Sequence, residues 1–326
     1  MYRKFSESVI LVFVMVGALL LMWIVNGGDF FQSANFQSMA FQLPELGILS
    51  LAMMVTMLTA GINLSIIASA NISGIIAAII LTQLIKPETA GLSEALIILL
   101  AILAGLSVAA LIGLLNGLLI AIVGVSPILA TLGTMILMNG FAIVLTKGYV
   151  ISGFPEPVRF IGNGLVLGIP MPIILFAICA AVMALVLNRT PTGVSIYMIG
   201  SNPIATFFSG VNTRTVLIRT YLLSGLYAGI AAIIMISRFN SAKADYGESY
   251  LLMTVLASVL GGVSAAGGFG RVSGLVIALV ILQIVSSGLN LMRVNNFLTI
   301  AIWGMILILV MVVKYLADQV QRRRAV

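Results

Sequence analysis

Histidine is missing from this 326-residue chain, cysteine occurs once, as Cys179, and only 8% of the residues are charged. Without His, and with its one Cys inside the apolar run 173–187, the chain can build neither an internal disulfide nor a Cys/His metal site. The same gaps leave an enzyme without the base, paired thiol or intramembrane acids its chemistry would need. No catalytic residue, metal or cofactor is therefore expected. The shortage of charge excludes more. A soluble globular chain carries roughly a quarter charged residues, so this one has too little polar surface to coat a water-soluble particle.

Apolar length takes the place of charge. Hydrophobic residues make up 61% of the chain and the mean hydropathy is +1.23. Apolar runs recur from residue 8 to residue 316 with no soluble-looking block between them. At about 20 residues per crossing, spans fall near 8–25, 45–60, 65–85, 95–123, 127–146, 170–187, 215–236, 250–263, 272–288 and 297–315. The expected fold is all-α: a polytopic membrane protein of about ten transmembrane helices, some short or interrupted, in one membrane domain over 1–326. The second and eighth spans read as short and end in glycine-rich turns, the pattern of broken helices around a central site. Arg3 and Lys4 precede the first run in the manner of a signal sequence. Asn26-Gly27-Gly28 lacks a small-x-small cleavage pattern, so the run reads as a retained span.

The formal charge is +7, which in a soluble protein would suggest nucleic acid. Here Lys and Arg cluster at span ends and at the C-terminus, so the partner they imply is the lipid bilayer and not nucleic acid. With the N-terminus inside, Arg3, Lys4, Arg189, Arg214, Arg219, Arg271, Lys314 and Arg322 to Arg324 are cytoplasmic. Fewer basic residues, and most of the acids, fall outside. An even number of spans then puts both termini in the cytoplasm. No ionisable residue falls in the middle third of any expected span, although such residues mark proton relays and ion-coupled carriers. Energy must come from a partner, or transport is passive.

Three segments carry chemistry. Thr59-Ala60-Gly61-Ile62-Asn63-Leu64-Ser65, followed by Ser69, Asn71 and Ser73-Gly74, places amide and hydroxyl groups where an apolar helix is interrupted. Such groups suit a polar pathway and equally suit helix packing, where small residues and cross-helix hydrogen bonds are favoured. Leu260-Gly261-Gly262-Val263-Ser264-Ala265-Ala266-Gly267-Gly268-Phe269-Gly270-Arg271 is glycine-rich but lacks the Gly-Lys-Ser/Thr of a phosphate loop. It reads as a tight cytoplasmic turn with Arg271 holding the loop at the inner face. In the loop 188–214, Asn202 is a good N-cap, Pro203 suits the first helical position, and Gly210 suits the residue after the helix end. They delimit a helix over 203–209 whose Ile204, Phe207 and Phe208 share one apolar face. A helix this short must dock, onto lipid, this chain's own spans or a partner's groove. A weaker signal is the echo of Asn71-Ile72-Ser73-Gly74-Ile75-Ile76 in Arg271-Val272-Ser273-Gly274-Leu275-Val276, which is compatible with a parallel duplication.

These segments resemble a known family, the permeases of bacterial ABC importers for ribose, xylose, arabinose, galactose and autoinducer-2. The family's Gly-Gly-Ile-Asp-Leu-Ser signature is similar to Ala60-Gly61-Ile62-Asn63-Leu64-Ser65, with Asn63 in place of the aspartate. Its Gly-x-Asn-x-x-Ala-Ala-x-x-x-Gly motif is similar to Gly200-Ser201-Asn202-Pro203-Ile204-Ala205-Thr206-Phe207-Phe208-Ser209-Gly210. Its Gly-Gly-Thr-Ser-Leu-x-Gly-Gly-x-Gly run resembles 261–270, and its Asn-Gly-Leu-Asn-Leu resembles Ser287-Gly288-Leu289-Asn290-Leu291. The matches keep their order over about 45–312. The resemblance implies a permease domain in the bacterial inner membrane, with 188–214 as its cytoplasmic coupling loop. It also implies a second permease protomer, of this chain or a sister, a cytoplasmic ATP-binding subunit docked on 200–211, and a periplasmic solute-binding protein.

Overall fold

The computed structural model describes residues 3–86, 89 and 91–324. In chain order its helices are α1 (Arg3–Asn26), α2 (Ser33–Met57), α3 (Ile66–Leu84), α4 (Leu92–Leu118, continued by a π-helical turn to Val123), α5 (Pro127–Thr146), α6 (Glu156–Asn163), α7 (Met171–Arg189), α8 (Pro191–Ser201), α9 (Pro203–Phe208), α10 (Thr213–Phe239), α11 (Tyr250–Leu260), α12 (Val272–Leu291) and α13 (Asn296–Arg324). Two strand pairs lie between them. β1 (Ile151–Ser152) runs antiparallel to β4 (Ser241–Ala242), and β2 (Leu165–Val166) forms a hairpin with β3 (Ile169–Pro170). Among the described residues eight helices are long and apolar enough to cross a membrane, and Tyr250–Leu260 and Phe297–Val312 are shorter apolar helices. Together they account for the expected spans, and the chain is an all-α polytopic membrane protein.

The helices sort into a centre and a shell. The apolar stretch of α2 is 78% buried and that of the first span 11% buried, so α2 is a core element and α1 a peripheral one. Lipid is as apolar as leucine and gives helices no hydrophobic reason to associate, so close packing and hydrogen bonds hold such a bundle together. The crossing of α4 and α10 shows the packing device. Gly113 of α4 faces Gly225 of α10, Gly229 packs on Ala109, and a Cβ on Gly117 would stand 2.8 Å from the Cα of Ile218. Only glycine lets the backbones approach this far.

The helix directions give the bundle two distinct ends. α8, α9 and the 261–271 loop lie together at one end. Gly288 near the close of α12 packs against Met22 near the close of α1, so α1 runs parallel to α12 and starts at the α8 end. α6 and the strand pairs lie at the opposite end.

Several sequence expectations need correction. The second span is not short: α2 has 25 residues and begins at Ser33. Pro44, which favours a helix's first turn, lies inside it, and its flanking polar residues made 45 look like the start. Glu45 consequently sits mid-helix, so the absence of ionisable residues from span centres does not hold. Its side chain is completely buried and receives the Arg238 guanidinium from the end of α10, through Nε and through Nη2 at 2.9 Å. A buried carboxylate without such a partner would be costly. The short helix closes at Phe208 instead of Ser209, a six-residue element. The 71–76 and 271–276 echo is out of register as well: Ser73 lies beyond the first turn of α3, whereas Ser273 opens α12.

Candidate functional site

The break between α2 and α3 is built by a helix stop. Ala60 N–H donates to Met57 O at 2.9 Å and Gly61 N–H to Thr56 O at 3.1 Å. This is the paired-bond Schellman termination, whose turning residue has left-handed backbone and is usually glycine. Here it is Ala60, at φ +62°. Gly61 lies where a Cβ would press on the Tyr221 hydroxyl and approach Pro127 Cβ at 3.3 Å, so this position has no room for a side chain.

Downstream of the turn, Asn63 organises a buried polar lock. Its amide donates to Ser224 Oγ of α10 at 3.0 Å, and its oxygen accepts from Ser65 N at 3.1 Å and Ser65 Oγ at 2.8 Å. Asn116 of α4 donates to Ser65 Oγ at 2.8 Å and accepts from Thr134 of α5 at 2.7 Å. The Ser224 hydroxyl in turn donates to Ala52 O of α2 at 2.8 Å. Thr131 of α5 accepts from Leu64 N at 3.1 Å and donates to Pro127 O at 2.8 Å. One set of uncharged groups thereby ties four helices to the broken segment. Asn63 is 2% exposed and Ser65, Asn116 and Ser224 are 0% exposed, so the lock is dry.

The five polar positions of 63–73 are divided by the fold. Asn63 and Ser65 belong to the lock. Ser69 is buried further along α3, Asn71 donates to Ala244 O at 2.8 Å beyond β4, and Ser73 donates to Gly105 O of α4 at 2.7 Å. Reading the sequence missed Asn116, Thr131, Thr134 and Ser224, which lie in otherwise plain spans. The signal for two of them was local, because Asn116 stands beside Gly117 and Ser224 beside Gly225, both in the glycine crossing. Tyr221 was missed too, and its hydroxyl is the buried side-chain polar atom left without a partner among the described residues.

A second cluster lies at the α8 end. Asn202 Oδ1 accepts from Ala205 N at 2.9 Å, capping α9, and Gly210 turns the chain away at φ +82°. Thr206 is the buried residue of α9, whereas Ile204 is 69%, Phe207 63% and Phe208 81% exposed. The two rings meet edge to face at 5.7 Å. This apolar face is therefore not docked on the chain's own spans. Val194, Tyr197, Met198 and Ala205 line a shallow groove beside it.

Close backbone contacts and one side-chain hydrogen bond join the two clusters. Gly268 N–H donates to Leu58 O at 2.9 Å, just before the helix stop, and Tyr197 of α8 donates to Gly270 O at 2.9 Å. Gly200 of α8 lies directly on Leu58 O and Gly268 N, and a Cβ on Gly267 would come within 2.7 Å of Ala60 N. The end of α2, the end of α8 and the 261–271 turn thus meet at glycines, where a Cβ on Gly200 or Gly267 would collide with backbone.

The comparisons with known proteins agree with this architecture. The family model described as "Branched-chain amino acid transport system / permease component" matches residues 35–313. The autoinducer 2 import system permease protein LsrD of Photorhabdus temperata is 36% identical over 213 residues, 64% of this chain and 64% of that protein. The ribose import permease protein RbsC of Bacillus subtilis is 32% identical over 298 residues, 90% of this chain and 89% of that protein. The LsrD protein of Escherichia coli K12 is 33% identical over 273 residues, 82% of this chain and 79% of that protein. The chain thus spans just under two thirds of the Photorhabdus relative's length. No solved structure matches the chain significantly. Helical build, ordered motifs and the match over 35–313 agree, and the chain belongs to the family of membrane-spanning permease components of ABC importers.

Proposed function

We propose that this chain is the permease subunit of an ATP-driven importer that moves a simple sugar or a similar small polar solute across the bacterial inner membrane. It works as one membrane domain paired with a second protomer, of its own kind or a sister. A periplasmic solute-binding protein delivers the solute, and a cytoplasmic ATP-binding subunit does all the bond chemistry. The pair alternates between outward-open and inward-open states, and each partner biases the state it binds better. Residues 188–214 are the coupling loop, with Gly200, Asn202, Pro203, Ile204, Ala205, Phe207, Phe208 and Gly210 forming the part that meets the ATP-binding subunit.

The carrying observation is the exposed face of Ile204, Phe207 and Phe208, set on a helix whose support, α8, contacts the break through Gly200. An apolar face with no cover on its own chain suits a partner's groove. In this reading Asn63 and Ser65 hold the break closed, and Ser69, Asn71 and Ser73 meet the pathway when α3 shifts. Both termini then share the cytoplasm with α9, and reporter fusions after Val326 and within 188–214 are expected to agree. The test of the function is reconstitution with the ATP-binding subunit and the solute-binding protein, followed by uptake of labelled monosaccharides. ATP-dependent accumulation is expected. Equilibration that ignores ATP would make the chain a passive facilitator.

A further inference from the structure

Asn139 stands 12 residues into α5, at a depth where a membrane helix normally shows lipid only apolar groups. It is partly exposed, and its amide has no hydrogen-bond partner among the described residues. Yet it is absent from the buried unpaired atoms, where Tyr221 is found, so its polar atoms reach the surface of the chain. Around it Leu132 is 36%, Ile136 64% and Ile143 54% exposed. The buried side of α5 carries Thr131 and Thr134, the two hydroxyls that join α5 to the lock.

We propose that Asn139 is a solute-contacting residue of the translocation pathway, taking an uncharged, polyhydroxylated solute. This rests on the importer reading above and adds a site to it. Hydrocarbon cannot satisfy an amide's two donors and its carbonyl oxygen, so the surface Asn139 reaches in the working complex is not lipid. Hydroxyl groups and water satisfy both functions of an amide without bringing a charge into the membrane. The position also links cargo to the break. One face of α5 holds the broken segment through Thr131 and Thr134, so a shift of that segment re-aims Asn139 and changes its access to water.

The experiment places a thiol at this position in the complete importer. The native Cys179 is buried and is replaced by Ala, and Asn139→Cys is introduced. Vesicles are treated with a permanently charged methanethiosulfonate reagent, nucleotide-free and trapped with ATP. The reactive thiolate forms only where water reaches. Modification should be on the order of tenfold faster than for Ile178→Cys, an exposed apolar position on α7 (55% exposed), and should differ between the two states. Asn139→Leu should raise the KM for uptake while the complex still assembles. Background-level modification in both states, or wild-type uptake kinetics for Asn139→Leu, would place the residue against lipid or a neighbouring helix and overturn the proposal. Labelling needs no transport activity. Loss of ATP-driven uptake in the wild-type complex would therefore count against the function and leave the accessibility result standing.

Discussion

The break at 58–65 and the helix at 203–208 are opposites. The first lies deep in a membrane protein yet is polar, with its lock groups buried and hydrogen-bonded within the chain. The second is apolar yet lies exposed where the chain turns outside the bundle. The contrast teaches that polarity alone does not locate function in such a protein. Polar groups bonded within the chain hold its shape, and exposed groups that the chain itself does not cover, the Phe207–Phe208 pair and the amide of Asn139, are where we propose that a partner or solute binds.

If this division is right, damage to bonded groups appears first as lost stability. The largest effect is expected at the ion pair of α2 and α10. Arg238→Met leaves the carboxylate of Glu45 buried without its countercharge, at a cost of about 3 to 5 kcal/mol, read as a lower melting temperature of the detergent-purified chain. Adding Glu45→Gln removes the stranded charge and should recover most of the loss. No recovery would mean the pair is needed for more than charge balance.

The lock comes next. Asn63→Ala strands the Ser65 amide and hydroxyl, costing about 1 to 3 kcal/mol. Asn63→Asp supplies the family's usual aspartate but puts a charge in a dry site without a cation, and should cost more than the alanine. Equal stability of Asp and wild type would show that water enters the lock.

The smallest effect is a gain. Ala60 takes the left-handed backbone of a position that favours glycine, and Ala60→Gly should stabilise the chain by about 0.5 to 1 kcal/mol. A loss would mean that the Ala60 methyl makes contacts worth more than the strain.

Much of this was legible from residue order. Apolar runs give the spans because backbone groups in lipid must be satisfied within a helix. The cap of α9 followed from Asn202, Pro203 and Gly210, whose local chemistry leaves few choices. What could not be read depended on distant partners. Whether the Asn63 amide nitrogen finds an acceptor depends on Ser224, which is 161 residues away, and no local pattern reports that. Glu45 was misplaced for a different reason, since Pro44 carries the sign of a helix start and only packing against α7, α10, α11 and α12 shows that α2 runs through it. Asn139 has no motif or break beside it in the sequence, and only the structure shows that its amide reaches the surface unpaired.

In the proposed importer the exposed aromatic pair carries motion from the ATP-binding subunit through α8 to the break. Its most direct test is solute-stimulated ATP hydrolysis by the reconstituted complex bearing Phe207→Ala and Phe208→Ala together. Both rings are more than half exposed, so membrane insertion and the fold of the chain should be unchanged. Stimulation by solute and binding protein should be abolished, and full stimulation in a correctly inserted double variant would contradict the account.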